Sequence, residues 1–239
     1  MNPPTPPSNP PSADAAEHGA ALTERVVAAV RADPQRAVLD YDRFAGAWVE
    51  GEAQPLAAGV LETAVFPSGR PLPPSLRRWL AFDTGLLRRF GWFEEQDEDG
   101  DGAPVFAPRP LGELAVEEFG EGWGAFFAAL SERFDECFLL PGGSDSRRVL
   151  ATGTPDAHGE YPVFVLDVDD LPCIELMYPG LDVYLADTAG LLVRGADGEG
   201  YSALAADPVY GGRMREHARH YLDGELSEEC LDRPADLTF

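Results

Sequence analysis

A chain of 239 residues with 44% hydrophobic content is long enough to bury a substantial core, and one main domain is expected. Its 42 acidic residues stand against 18 basic ones, all of them arginine, for a net charge of −24, which disfavours nucleic acid and anionic membrane as partners. No stretch approaches the roughly 18 uninterrupted apolar residues of a membrane span, and the opening MNPPTPPSNPPS has no basic or apolar leader character, so a cytoplasmic location is expected.

Residues 1–18 form a Pro-rich tail whose composition cannot bury enough surface to offset its ordering entropy, and disorder is expected there. From residue 19 to 239 a single α+β domain is expected. Leu22, Val26, Val27 and Val30 follow helical spacing with Thr23 as a candidate N-cap. Asp33-Pro34 then opens a second helix carrying Val38, Tyr41, Ala45, Trp48 and Val49 on one face, closed by Gly51. A short helix is expected within Leu56 to Phe66. In Leu72-Pro73-Pro74-Ser75-Leu76-Arg77-Arg78-Trp79-Leu80 proline starts a helix whose Leu76, Trp79 and Leu80 point one way, with Gly85 at or just past its end. After the acidic segment EEQDEDGDG, Leu111 to Phe119 suggest a short helix and Trp123 to Phe134 a stronger one.

The chain is organised around Cys137 to Arg194. There CFLL, RRVLA, YPVFVL, CIELMY, LDVYLA and GLLVR alternate with turn chemistry and predict about five to six short strands in a mainly antiparallel sheet. Tyr161 to Leu166 is apolar on both faces, as a central strand covered on each side would be. Leu181, Val183 and Leu185 alternate with Asp182, Tyr184 and Ala186, which predicts a strand with one apolar face. Met214, His217, Ala218, Tyr221 and Leu222 predict a final amphipathic helix closed by Gly224.

The helix from Leu72 to Leu80 with Gly85 after it, followed by Gly159-Glu160-Tyr161-Pro162-Val163 entering a strand with a last helix behind it, resembles the SUKH superfamily of bacterial toxin-immunity proteins and fungal regulators of cell-wall synthesis. The resemblance covers roughly residues 56–223. It implies N-terminal helices ahead of an antiparallel sheet, a closing C-terminal helix, and a protein-binding module that is not an enzyme and carries no catalytic residues. The extra N-terminal helical pair and the acidic segment fall outside the family pattern.

Candidate chemistry is sparse. Asp97-x-Asp99-x-Asp101-Gly102 reproduces the first half of an EF-hand loop, but position 12 falls on Pro108 instead of a bidentate Glu, so a solvated acidic loop is the better reading. His217 and His220 lie three apart on a helix without a third ligand motif; His217 is expected to pack beside Met214 and Tyr221, and His220 to face outward. Ser144, Asp156 and His158 lack the nucleophile elbow of a hydrolase and read as turn residues. The three cysteines, Cys137, Cys173 and Cys230, are odd in number and widely spaced, which argues against a disulfide framework or a zinc knuckle. No cofactor and no metal are expected. What remains is charge: ten acids and only Arg109 lie between Glu94 and Glu121. Glu94, Glu95, Asp97, Glu98, Asp99 and Asp101, with Asp167, Asp169 and Asp170 after the central strand, are the candidate surface for steering a basic protein partner such as a toxin domain. A purely solubilising role for the same acids stays open, as do a regulatory or scaffold domain and a carboxylate- or metal-dependent enzyme.

Overall fold

The structure, a computed structural model, describes residues 17–35, 47–94, 104–114, 134, 136–142, 146–167, 173–192, 203–226 and 229–230. Among the described residues the helices α1 (Gly19–Ala32), α2 (Ala58–Thr63), α3 (Pro74–Leu80) and α4 (Gly85–Arg88) come first, and residues 111–114 are helical as well. The strands β1 (Glu136–Leu140), β2 (Ser146–Thr152), β3 (Val163–Asp167) and β4 (Cys173–Tyr178) follow, then α5 (Leu181–Thr188), a 3-10 turn (Ala203–Ala206), α6 (Gly211–Tyr221) and a two-residue β5 (Glu229–Cys230). The sheet is an antiparallel meander in the order β1-β2-β3-β4-β5.

β3 is central, and Val163, Phe164, Val165 and Leu166, which alternate between its two faces, are buried. The register places Phe138, Leu150 and Val163 side by side on one face. There Phe138 stacks on Phe66 at 4.8 Å and meets Trp92 at 5.3 Å, so this face belongs to the N-terminal half of the chain. On the opposite face Phe164 packs against Phe134 at 4.8 Å and Tyr221 of α6 at 5.8 Å. Two covered faces explain why this strand reads as continuously apolar.

α1 buries Leu22, Val26, Val27 and Val30 and packs on α3 and α5. α3 begins at Pro74, where a missing N–H costs nothing, and buries Leu76, Trp79 and Leu80. Trp79 lies 5.5 Å from Trp48 and 5.4 Å from Phe82.

Several expectations need correction. The sheet has four full-length strands and the short β5 rather than five to six strands drawn from the apolar runs, because LDVYLA is α5. All eight residues of α5 are buried, so no polar face exists to betray a helical period, and the accidental Leu-Val-Leu alternation mimics a strand. The Asp187 to Gly190 turn is the helix's C-terminal closure: Gly190 has φ 67° and donates to Asp187 O at 2.8 Å, and Leu191 donates to Ala186 O at 2.9 Å. Leu191 and Leu192 of GLLVR belong to no strand. Thr23 is an interior residue of α1 whose hydroxyl donates to Gly19 O at 2.9 Å, not its N-cap. Gly85 opens α4 instead of closing α3. Residues 111–114 are helical, whereas most of the second predicted helix, the stretch Trp123 to Arg133, and residues 1–16 of the tail lie outside the described residues.

Candidate functional site

The densest polar construction among the described residues joins the start of α1, the start of α3, the turn 155–160, the β4–α5 junction and α6. Arg213 of α6 is its hub. The guanidinium Nη1 and Nη2 donate to the two oxygens of Asp182 at 2.9 and 3.0 Å, a bidentate fork, and Nε donates to Asp156 Oδ2. Nη1 also lies 3.2 Å from His18 Nδ1, and Nη2 donates to Pro179 O at 3.4 Å. Arg213, Asp156 and Asp182 are all buried.

Each partner is held by its own local structure. Asp156 begins a turn in which its Oδ1 accepts from the backbone of His158 at 2.8 Å and of Glu160 at 3.0 Å. Gly159 completes that turn with φ 77°. Asp182 sits in the first turn of α5, where a negative charge meets the helix's unpaired N–H groups, and reaches across to accept from Gly19 N at 2.7 Å. It thereby caps α1, whose own N-cap residue His18 supplies no side-chain bond. Glu160 caps α3 the same way: Ser75 donates its N–H to Oε1 at 2.8 Å and its hydroxyl to Oε2 at 2.5 Å. One acid from the turn and one from α5 therefore supply the caps that the helices' own sequences lack.

Close approach at the centre demands glycine at position 180. A Cβ there would lie 2.4 Å from Asp182 Oδ1, 2.5 Å from Arg213 Nη2 and 2.8 Å from Glu160 Cβ.

The electrostatics follow from this crowding. Burial works against the charge of Asp156, yet His217 and the Arg213 guanidinium outweigh it and hold the carboxyl well below the usual range. Glu160 goes the other way. Its burial, reinforced by the nearby charge of Asp182, pushes it up to about 8 against the hydrogen bonds from Ser75. Burial opposes the charge of Arg213 also, but Asp182 and Asp156 raise its pKa above the usual value. At the rim, the His18 imidazole stacks on that of His158 at 4.1 Å with Tyr210 edge-on at 5.9 Å. Burial, then Arg213 and His158, lower the pKa of His18. His217 is buried as expected, 6.1 Å from the Tyr221 ring, with Nε2 2.9 Å from Pro179 O; His220 is exposed.

The acidic surface is placed only in part. Glu94 is exposed on a short pairing in which its N–H donates to Val105 O at 3.1 Å, Ala107 N to Trp92 O at 3.2 Å and Arg109 N to Gly91 O at 2.8 Å. The two ends of the acidic segment are thus held side by side. Glu95, Asp97, Glu98, Asp99 and Asp101 lie outside the described residues, as do Asp169 and Asp170; Asp167 closes β3 opposite Ser146 and Cys173. Ser144 is likewise outside, and Asp156 accepts from the backbone of His158, not from its ring. Among the described residues no three His, Cys, Asp or Glu side chains gather as a metal set, and no helix is long and apolar enough to cross a membrane.

Sequence reasoning missed Asp156, Glu160, Asp182 and Arg213 as a group. The one available signal is Arg213 itself, which sits with Tyr210, Met214 and His217 on the apolar stripe of α6, where an arginine requires a buried acid to answer it.

The assembly is a mixed helix and sheet domain with an antiparallel sheet. No protein-family model matches the chain, and no curated protein matches it. A solved structure of an uncharacterized protein from Salmonella enterica subsp. enterica serovar typhimurium str. 14028s is similar over 88% of this chain and 94% of that one, at 15% identity and a TM-score of 0.47.

Proposed function

We propose that the chain is a non-catalytic, SUKH-like protein-binding domain that neutralises a basic protein, most simply a toxin domain, through its acidic surface. The observation that carries this reading is where the perturbed charges are spent. Asp156, Asp182 and Arg213 satisfy one another, and Glu160 satisfies the start of α3, so the polar machinery that an enzyme would turn toward substrate here fastens helices together. Exposed acids such as Glu52, Glu62 and Glu94 give a chain of net charge −24 the means to attract a cationic partner from a distance.

A carboxylate-dependent enzyme is the second reading. It is favoured by Asp156 and Glu160, neighbouring carboxyls whose environments move them in opposite directions. Against it stands Glu160, which is 0% exposed with both oxygens engaged by Ser75.

The test is to co-express the product of the adjacent gene and measure binding at two salt concentrations. Association should slow markedly as salt rises past about 0.15 M, where the Debye length is about 8 Å, while dissociation changes less. The combined variant Glu94→Ser, Glu95→Ser, Asp97→Asn, Asp99→Asn should slow association further. Tight binding indifferent to both salt and these changes would sink the acidic-surface mechanism, and absence of any binding would sink the neutralising role.

A further inference from the structure

His18 stands where the chain enters α1, half-buried at the rim of the charged joint. Gly19 of α1 and Gly159 of the turn both pack on Pro74 of α3, where a Cβ on either would come within 3.4 or 3.5 Å of the proline side chain. This shared support brings the neighbouring imidazoles of His18 and the exposed His158 into their 4.1 Å stack, with Tyr210 edge-on to His18. Arg213 Nη1 reaches the same ring from α6 and lies 3.2 Å from His18 Nδ1. A guanidinium has only donors, so the contact is a hydrogen bond when Nδ1 offers its lone pair. The geometry therefore calls for a neutral His18 with its proton on Nε2.

We propose that His18 is an acid-sensitive latch: neutral, it fastens the start of α1 to α6 and to the turn carrying His158, and on taking up a proton it lets go. The charged ring would set an N–H against the N–H of Arg213. It would also bring a cation against His158 and to the N-terminus of α1, a helix of 14 residues whose dipole is positive at that end.

The acids nearby pull the other way, but they are already engaged. Asp182 of α5 and Asp156 of the turn accept from Arg213, and Asp182 also from Gly19 N. Glu160 lies beyond Gly19 with its two oxygens on Ser75. Glu17, next to His18 in sequence, is paired with Arg25 at 3.2 Å. The balance opposes the charge, in line with the lowered pKa of His18. Release is local. The bond from Ala21 N to His18 O at 3.2 Å opens α1, and it loses its anchored end when the ring leaves the rim. The fork between Arg213 and Asp182 has no part in the proton and stays closed.

The full chain is titrated downward from about pH 7.5, and the imidazole C–H resonances of its four histidines are followed by NMR, His18 being assigned by its loss in His18→Asn. Backbone amide exchange is mapped over the same range by mass spectrometry, relative to the exchange of an unstructured chain at each pH. The His18 ring should take up its proton below the ordinary value of about 6.5. As it does, residues 19–23 should lose protection severalfold while β3 keeps its own. His18→Asn offers Arg213 a neutral oxygen in place of Nδ1, so its α1 start should stay protected in acid. His158→Gln removes the stacked neighbour and should move the His18 midpoint upward. The wild-type titration stands even if a variant folds poorly. A His18 ring already charged at neutral pH, a ring that titrates while the start of α1 stays protected, or a His18→Asn chain that loses protection in acid as the wild type does would each overturn the proposal.

Discussion

The two faces of the sheet are held by aromatic packing, whereas the joint between α1, α3, α5 and α6 is held by charge. The rings of Phe66 and Trp92 lie 4.8 and 5.3 Å from that of Phe138, and a somewhat different apolar shape there loses area and leaves a cavity, but creates no new unfavourable group. Around Arg213 every contact depends on its opposite. One guanidinium answers two buried carboxylates, Asp182 in a fork and Asp156 beside His217, and removing it takes the arginine counter-charge from both. The lesson is that the same degree of burial produces opposite sensitivities: graded in one region, all-or-none in the other.

The largest expected effect separates them. Arg213→Ala should cost about 3–5 kcal/mol or more of stability, since it strands Asp156 and Asp182, and should release the start of α1 as well as α6. Reverting the carboxylates alongside it, as Arg213→Met with Asp156→Asn and Asp182→Asn, should recover part of that loss. Phe138→Ala should cost about 3–5 kcal/mol with no such recovery from a second change. Urea unfolding of the variants decides the matter: a triple variant no more stable than Arg213→Ala would show that unpaired charge is not the source of the cost.

How much of this was legible follows the same division. β1, β2, β3 and β4 were readable because each is a short apolar run between turn residues, and α3 because Pro74 and the Leu76, Trp79, Leu80 stripe mark both its start and its buried face. α6 was legible too, down to the burial of His217. α5 was not, because burial of Asp182 and Asp187 as well as its apolar residues erases the polar face by which a helix is recognised. The charged joint was invisible for a related reason. Asp156 and Glu160 look like turn and strand-entry residues, Ser75 looks like a first-turn helix residue, and nothing in local sequence says that Asp182 caps a helix beginning at Gly19. Such partnerships are made by tertiary contact, and only the arginine on the apolar stripe of α6 hinted at them.

The second effect is on pH. The pKa of Glu160 is pushed up to about 8 in the folded chain, above the ordinary carboxyl value of about 4.3 that it regains on unfolding. The folded state therefore holds a proton that the unfolded state has lost. The stability this contributes is full below about pH 4.3 and declines as pH rises through 8, on the order of a few kcal/mol in all. His18 and Asp156, whose values are lowered, act in the other direction: their contribution is present above the unfolded values of about 6.5 and 3.9 and fades in acid. Glu160→Gln keeps the shape and removes the titration, so its unfolding free energy should be nearly flat from pH 6 to 9 where the wild type falls. The acid limb should survive that substitution. A wild-type profile that rises between pH 6 and 9 would contradict the assignment of a protonated Glu160.

The smallest effect belongs to the ion pairs of the surface, and it sharpens the contrast with the joint. Arg25 lies 3.2 Å from Glu17, with the two side chains 54% and 45% exposed, so water screens the pair and holding two long side chains together costs entropy. Arg25→Gln should therefore change stability by less than about 1 kcal/mol at 0.15 M salt. The substitution also deepens the net charge from −24, and a chain already repelling itself feels each lost arginine more when counter-ions are few. The difference between Arg25→Gln and wild type should accordingly widen at low ionic strength and close as salt is added. The Arg213→Ala difference should hardly move, because its carboxylates are buried beyond the reach of the ion atmosphere. Measuring both variants across a salt series separates the two kinds of charge directly: an Arg213 deficit that salt repairs would place the fork among the screened surface pairs and undo the distinction between the regions.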